Sequence, residues 1–345
     1  MKAVVYYNYG SPDVLKCEDI EKPAPSDNEA LIKVRAASVN PLDCGELKGV
    51  PYIFRILFWL RKPDAMRPAR PGVDVAGQVE AVGGKVTQFK PGDEVFGACI
   101  SDPQASAAKV WVHHQGAFAE YVCVSESILV MKPDNVTFEQ AASVPVAAFT
   151  ALQGLRDKGH IQPGRKVLIN GAAGGVGTFA VQIAKTYGTE VTGVCSTRNV
   201  EMVKSIGADH VIDYTKEDFT QGSVRYDLII DNVGNHTLTD LRQALTPNGV
   251  LVMVGGPSDN SWLGPLTTSA KAYLVSPFVK QKMMFMLAQA NKDDLNVLSD
   301  LMQTGKLTPV IDRRYSLAET AQAIGYLEQG HAKGKVIIAV DQSAP

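Results

Sequence analysis

Cysteine is sparse and unordered in this chain. Five residues, Cys17, Cys44, Cys99, Cys123 and Cys195, are scattered through 345 positions and odd in number. A disulfide framework that uses them all is excluded, and reduced thiols in a cytosol-like, cytoplasmic compartment are expected. None belongs to a C-x-x-C pair, so a structural zinc site of the usual spacing is missing. Neither sign of charge is in excess: 34 Lys and Arg stand against 36 Asp and Glu, a net charge of −2. Nucleic acid is thereby disfavoured as a partner. No apolar run reaches the ~18 residues needed to cross a bilayer. The start, Met1-Lys-Ala-Val-Val-Tyr6, reads as a first strand and not as a signal peptide. There is no internal repeat. At this length two domains are the natural expectation.

What is present is a glycine-rich turn in a telling context. The run Lys166-Val-Leu-Ile-Asn170-Gly171-Ala-Ala-Gly174-Gly175-Val176-Gly177 is a short apolar strand entering that turn. A helix is expected from Thr178 to Tyr187, with Phe179, Val181, Ile183 and Ala184 apolar, and then a second strand, Glu190-Val-Thr-Gly-Val-Cys195. Such a βαβ unit places backbone N–H groups and a helix N-terminus against a pyrophosphate. Glycine is needed where a Cβ would block the phosphate or the helix–strand contact. The same spelling also suits a tight turn that binds nothing, but the strand–turn–helix–strand order favours a dinucleotide.

The end of the second strand indicates which dinucleotide. A site for NAD usually carries Asp or Glu about 20 residues past the glycines, on the ribose 2′-OH. Here the stretch is Cys195-Ser196-Thr197-Arg198-Asn199, with hydroxyls and a guanidinium but no carboxylate. Ser196 and Arg198 suit a 2′-phosphate, so NADPH is the expected cofactor. Lys204 is further along and reads as a surface charge.

The chain changes character near residue 148. Before it lie short β-type runs, Ala30–Arg35, Val75–Val82 and Glu120–Val124, punctuated by Pro-Gly at 71–72 and 91–92. After it, strands and helices alternate through Asp209–Tyr214, Tyr226–Asp231 and Gly249–Val254, as in a parallel doubly wound sheet. Another strand is expected at Lys282–Leu287. Helices Asp293–Thr304 and Ser316–Glu328 and a strand Lys335–Val340 follow. The expected fold is therefore α/β plus all-β: residues 1–147 with 291–345 form a barrel-like domain, and 148–290 a Rossmann domain.

These residues carry a resemblance that covers nearly the whole chain. It rests on Ser38-Val-Asn40-Pro-Leu-Asp43, Pro71-Gly-Val-Asp74-Val-Ala-Gly77 and Phe89-Lys-Pro-Gly92-Asp93-Glu-Val95-Phe-Gly97. It continues through Gly116-Ala-Phe-Ala-Glu120-Tyr121, Ala141-Ala-Ser-Val-Pro145 with Thr150, the glycine turn, Gly207-Ala-Asp-His-Val-Ile-Asp-Tyr214 and Gly330-His-Ala-Lys-Gly334-Lys335-Val336. The sequence resembles the medium-chain dehydrogenase/reductase superfamily in its zinc-independent quinone reductase-like branch, with zeta-crystallin-type quinone oxidoreductases and alkenal/one reductases. The resemblance implies a GroES-like catalytic domain built from both termini, a central Rossmann domain and an active-site cleft between them. It also implies a homodimer joined along the 282–287 strand.

The resemblance makes the metal question specific. Zinc-dependent relatives have Cys where Asn40 stands, His where Pro41 stands, and Gly-His-Glu where this chain has Gly72-Val73-Asp74. An amide and an alkyl group do not build a tetrahedral zinc site. The four-cysteine lobe of those relatives is missing too. Cys44 reads as a small buried thiol; His113 and His114 read as exposed. Without a metal, alcohol or aldehyde chemistry lacks its Lewis acid. An enone needs only one donor to stabilise the enolate formed by hydride addition, and a quinone accepts hydride readily.

Candidate catalytic residues are Asn40, beside the nicotinamide by resemblance, Tyr52, a possible proton donor, and Thr150, near the nicotinamide in relatives. Asn40 also suits a turn before Pro41, and Tyr52 a packed loop. Asp43 and Asp74 read as braces. On the cofactor side the resemblance adds Tyr214 at the adenosine end. Asn232, Val233 and Gly234 end the fourth strand, where doubly wound sheets bind ligands; Gly255 and Gly256 end the next. Lys335 is a candidate cofactor or substrate contact, though a surface strand lysine is the plainer reading. The apolar segment 51–63, with Arg67 and Arg70 beyond, suits packing on the barrel, a lid over a bulky acceptor, or contact with a membrane surface. The leading functional reading is an NADPH-dependent reductase of enones or quinones. An alcohol dehydrogenase or aldehyde reductase, and a nucleotide-binding protein without turnover, are the alternatives.

Overall fold

The computed structural model describes residues 1–49, 63–64, 68–100, 116–255 and 280–340. The chain forms two compact units, Met1–Val146 with Gln289–Pro345, and Ala147–Ala288.

The first unit is built on antiparallel pairing. Strands β1 (Lys2–Val5) and β2 (Lys16–Asp19) form a ribbon. The main sheet takes β3 (Glu29–Val39), β4 (Asp74–Val82), β5 (Glu94–Ala98), β6 (Tyr121–Ser125) and β7 (Leu129–Met131) from the first segment. The last segment adds β14 (Ile311–Ser316) and β15 (Lys335–Ala339). The order is β14-β15-β3-β4-β5-β7, with β6 also on β3. β3 runs past the apolar stretch that marks it in the sequence because it serves three partners, β4, β6 and β15. Its inward residues, such as Ile32, Val34 and Ala36, are fully buried. Gly72 has φ +107, and a Cβ there would lie 2.7 Å from the Phe118 nitrogen. Only glycine allows that approach.

The second unit is a six-stranded parallel sheet. Its strands are β8 (Lys166–Asn170), β9 (Glu190–Cys195), β10 (His210–Asp213), β11 (Tyr226–Asp231), β12 (Leu245–Met253) and β13 (Lys282–Phe285), in the order β10-β9-β8-β11-β12-β13. Counted from β8 this is 3-2-1-4-5-6, the dinucleotide-binding order, with its switch point between β8 and β11. The strands are near-continuous apolar runs because both faces are covered. One face packs Leu168, Ile229, Leu251 and Met253 with Leu241 and Ala244 of the helix Leu238–Ala244.

The first helix of this unit spans Gly175–Thr186, three residues earlier than the apolar spacing suggests. Gly174 is its N-cap, extended at φ −82 and ψ 178, so Gly175, Val176 and Gly177 form the first turn. Residues Gly177–Ala184 of this helix are buried. The helix Lys292–Gln303 begins where Asn291 Oδ1 accepts the Asp294 N–H at 2.8 Å. It buries Leu295, Leu298 and Met302, spaced for one face.

Candidate functional site

In the first unit, strand register gathers polar side chains that are far apart in sequence. Val336 of β15 lies opposite Val39, and Ser38 of β3 opposite Asp74 of β4. Lys335 at the start of β15, Asn40 just past the end of β3 and Asp74 at the start of β4 therefore meet in a row. Lys335 Nζ donates to Asn40 Oδ1 at 2.6 Å and lies 3.3 Å from Asp74 Oδ2. Asn40 Nδ2 donates to Asp74 Oδ2 at 2.9 Å and to the Ser38 carbonyl at 3.3 Å. Ser38 Oγ donates to Asp74 Oδ2 at 2.6 Å, and the Val146 N–H to Asp74 Oδ1 at 2.9 Å. Lys335 is 3% exposed, Asn40 2%, and Ser38, Asp74 and neighbouring Val73 0%. The plainer reading of Lys335 as a surface lysine is thus corrected: its ammonium is turned in against Asn40 and Asp74 and is out of solvent. Desolvation of the Lys335–Asp74 pair is offset by these hydrogen bonds.

Asn40 is the N-cap of the helix Pro41–Lys48, but its side chain is committed to the sheet. The helix start is held by Asp43 instead. Asp43 Oδ2 accepts the Asn40 N–H at 2.7 Å, and Oδ1 accepts the Gly72 N–H at 3.1 Å. Asp43 and Asp74 thus tie the segments that carry Asn40 and Val73. Burial pushes the Asp43 carboxyl up to about 7, against the pull of the two N–H donors. Cys44 is half-buried, and burial raises its thiol to about 12, so it is no ready thiolate.

In the second unit the glycine turn lies at the switch point. Gly171 has φ +77, and a Cβ there would meet Val233 Cγ2 at 2.8 Å. A Cβ on Gly177 would collide with the Gly171 carbonyl and lie 2.7 Å from Ala172 Cα. A Cβ on Gly174 would meet only the Gly171 oxygen, at 3.5 Å. Gly177 therefore serves helix–turn packing, and Gly174 leaves space in front of the helix. The turn is braced from below. Asn170 Nδ2 donates to Asp231 Oδ1 at 2.9 Å and to Asn235 Oδ1 at 3.0 Å. Asp231 Oδ1 also accepts the N–H groups of Val233 (3.2 Å) and Gly234 (3.0 Å). Asn232 Nδ2 donates to the Asn170 carbonyl at 2.9 Å, while its buried Oδ1 has no partner among the described residues. Gly255 is glycine because a Cβ would strike the Asn232 carbonyl. In the sequence the only signal of Asn170 and Asp231 is that each is a polar residue closing an apolar strand.

At the end of β9, Ser196 is half-buried, Thr197 and Arg198 are exposed, and no carboxylate follows within that strand end. One does stand at the end of β10. Asp213 Oδ2 accepts from Thr197 Oγ1 at 2.6 Å, Oδ1 from Thr215 Oγ1 at 2.8 Å, and Lys216 Nζ is 3.3 Å away. The Thr197 hydrogen bond leads in holding this carboxyl well below the usual range. Its acceptor capacity is thus spent inside the protein. Tyr214 beside it is 60% exposed and Val233 is 44% exposed. Thr150 is in the helix Pro145–Gln153, buried at 9%. Tyr52, Gly256, His113, His114 and the segment 51–62 lie outside the described residues. Among the described residues no three His, Cys, Asp or Glu side chains converge as a metal site, and no helix is long and apolar enough to cross a membrane.

Residues 26–134 match the family described as alcohol dehydrogenase GroES-like domain, and residues 206–338 that described as zinc-binding dehydrogenase. The chain is 35% identical over 343 residues to the NADPH-dependent alkenal/one oxidoreductase, chloroplastic, of Arabidopsis thaliana, covering 98% of this chain and 79% of the relative. The quinone oxidoreductase of Coxiella burnetii superposes with a TM-score of 0.81 at 33% identity, over 99% of both chains. A structure described as an NAD-dependent alcohol dehydrogenase superposes at 0.84 with 29% identity, over 99% of this chain and 100% of its own. With the strand order, the glycine turn and the Asn40 row already in place, these likenesses assign the chain to the quinone oxidoreductase-like branch of the medium-chain dehydrogenase/reductase superfamily.

Proposed function

We propose that this protein is an NADPH-dependent reductase that delivers hydride to quinones or α,β-unsaturated carbonyls without a metal. The observation that carries the reading is the make-up of the buried row. Where a zinc site needs thiolate and imidazole, this chain has the Asn40 amide, the Val73 alkyl group and the Lys335 ammonium. An ammonium in hydrogen-bond contact with Asn40 repels a cation and leaves no room for tetrahedral N/S ligation. The substrate class of the Arabidopsis relative supports the same reading.

The second unit fits the cofactor. Gly174 leaves open space before a helix start, and Gly171 and Gly177 hold the turn that frames it. Gly175, Val176 and Gly177, the first turn of the helix, would take the pyrophosphate through backbone N–H groups, with Gly171 and Gly174 shaping the turn beside it. Ser196 and Arg198 would take the 2′-phosphate, and Tyr214 would lie along the adenosine. Asn232, with its orphan buried Oδ1, and Val233, Gly234, Gly255 and Gly256 would meet the nicotinamide end. The bound nucleotide supplies the hydride. Asn40 and Thr150 orient the reactants, Asp43 and Asp74 hold their segments rigid, and Tyr52 at most assists protonation. Five free thiols support a reducing compartment.

The test is NADPH oxidation across a panel of quinones, alkenals and simple aldehydes, before and after exhaustive chelation. Turnover with quinones or alkenals that survives chelation, without stoichiometric zinc, is the expected outcome. Faster reduction of simple aldehydes would transfer the assignment to the alcohol dehydrogenase alternative. Loss of activity with removal of one tightly bound zinc per chain would overturn the metal-independent mechanism.

A further inference from the structure

An amide's oxygen and nitrogen are told apart by their partners, and those of Asn40 leave one solution. Lys335 carries an ammonium, which donates and cannot accept, and it faces Oδ1 at 2.6 Å. Asp74 carries a carboxylate that accepts from Ser38 and Val146, and it faces Nδ2 at 2.9 Å. Turning the amide over would set N–H groups against the ammonium and oxygen against the carboxylate. In a fully buried cluster that exchange removes hydrogen bonds and adds repulsion. The orientation is therefore fixed from two sides.

The fixed orientation has a chemical consequence. Both Nδ2 hydrogens are spent, one on Asp74 and one on the Ser38 carbonyl. Asn40 has no N–H left to offer a ligand. Its remaining capacity is the second lone pair of Oδ1. We propose that Lys335 is a positioning residue for the reductase reaction, acting through Asn40: from β15 it locks the carboxamide so that Asn40 meets its ligand as an acceptor. The proposal rests on the reductase reading for its effect on turnover, but the lock itself is a property of the chain. It also gives Lys335 a different role from a direct cofactor contact.

The experiment compares wild type, Lys335→Met, Asn40→Ala and the double variant, with Lys335→Arg as the variant that keeps the charge. Each is followed by steady-state kinetics with an enone, by NADPH fluorescence titration and by thermal unfolding. Side-chain amide exchange is measured on asparagine-15N-labelled wild type, Lys335→Met and Lys335→Arg. Lys335→Met is expected to lower kcat about tenfold or more while changing the NADPH dissociation constant less than about threefold. In the Asn40→Ala background the same change is expected to alter kcat less than about twofold. The Asn40 Nδ2 protons are expected to exchange slowly in wild type and fast in Lys335→Met, with protection partly recovered by Lys335→Arg. An equal loss of kcat in both backgrounds, or slow exchange retained in Lys335→Met, would overturn the proposal. If Lys335→Met does not fold, Lys335→Arg and the wild-type exchange rates decide the same question. A wild type inactive with every enone and quinone would refute the reductase reading alone, and the exchange measurement would still decide the lock.

Discussion

Arg198 is exposed at the end of β9, beside Ser196 and with no carboxylate following in that strand end. Arg198→Ala should raise the NADPH dissociation constant about tenfold or more through loss of a charge-assisted contact, with far less effect on NADH. Equal weakening of both cofactors in titrations would sink the 2′-phosphate assignment. A second prediction concerns Glu46, on the same helix as Asp43. Burial leads in pushing its carboxyl from 4.5 up to about 8, the Asp43 charge adds, and the Tyr6 hydrogen bond opposes. Between those two values the unfolded chain has released the proton while the native state keeps it. The contribution is therefore full below about pH 4.5 and is lost as pH rises to about 8. Glu46→Gln should raise the unfolding temperature at pH 8 relative to wild type and flatten the slope between pH 5 and 8. An unchanged slope would remove Glu46 from the account. At this scale the sequence was half legible. Asn40, Asp43, Asp74 and Lys335 each stood out, but their meeting did not. Asn40 and Asp74 are 34 positions apart, Asp74 and Lys335 261, and Asn40 and Lys335 295. Nothing local marks a strand lysine as buried, because its burial comes from the neighbouring strands.

At the scale of elements, the glycine turn separates two kinds of glycine that look alike in sequence. Gly177→Ala drives a methyl group into the Gly171 carbonyl and Ala172 Cα, both backbone, which cannot give way cheaply. It should destabilise the protein by about 1–3 kcal/mol, as overpacking does, and weaken NADPH binding as a result. Gly174→Ala meets only ordinary contact at 3.5 Å, and φ −82 suits alanine. It should leave the unfolding temperature nearly unchanged and still weaken NADPH, because its methyl group enters the space before the helix start. Thermal unfolding and fluorescence titration of the two variants check this split. An NADPH affinity untouched by Gly174→Ala would move the pyrophosphate elsewhere. The strand–turn–helix order was plain from composition, and β11 was legible to its ends. The helix starts three residues before the point that apolar spacing indicates, because glycines carry no apolar periodicity. The order 3-2-1-4-5-6 was beyond reach of the sequence pattern, since alternation states that strands are parallel and not which are neighbours.

At the scale of the whole molecule, β13 raises the question of assembly. It is the outermost strand on its side of the parallel sheet, held by β12 alone among the described residues. It carries Met283, Met284 and Phe285, and Leu287 just beyond it is 59% exposed. An apolar edge strand is a template for unwanted pairing unless it is paired or covered. Joining two copies along this edge across a two-fold axis removes both edges at once and makes one self-complementary interface. The sequence had already supplied the apolar run at 282–287; its place at the sheet edge came only from the pairing. The protein is therefore expected to be a homodimer at dilute concentration, with slow backbone hydrogen exchange along β13. Leu287→Lys should put a charge on each copy's share of this apolar edge, shift the mass towards the monomer and speed that exchange. Light scattering and hydrogen-exchange mass spectrometry read the two effects separately. A monomeric wild type with fast exchange along β13 would show that the edge is left open in solution, and the two-fold pairing would have to be abandoned.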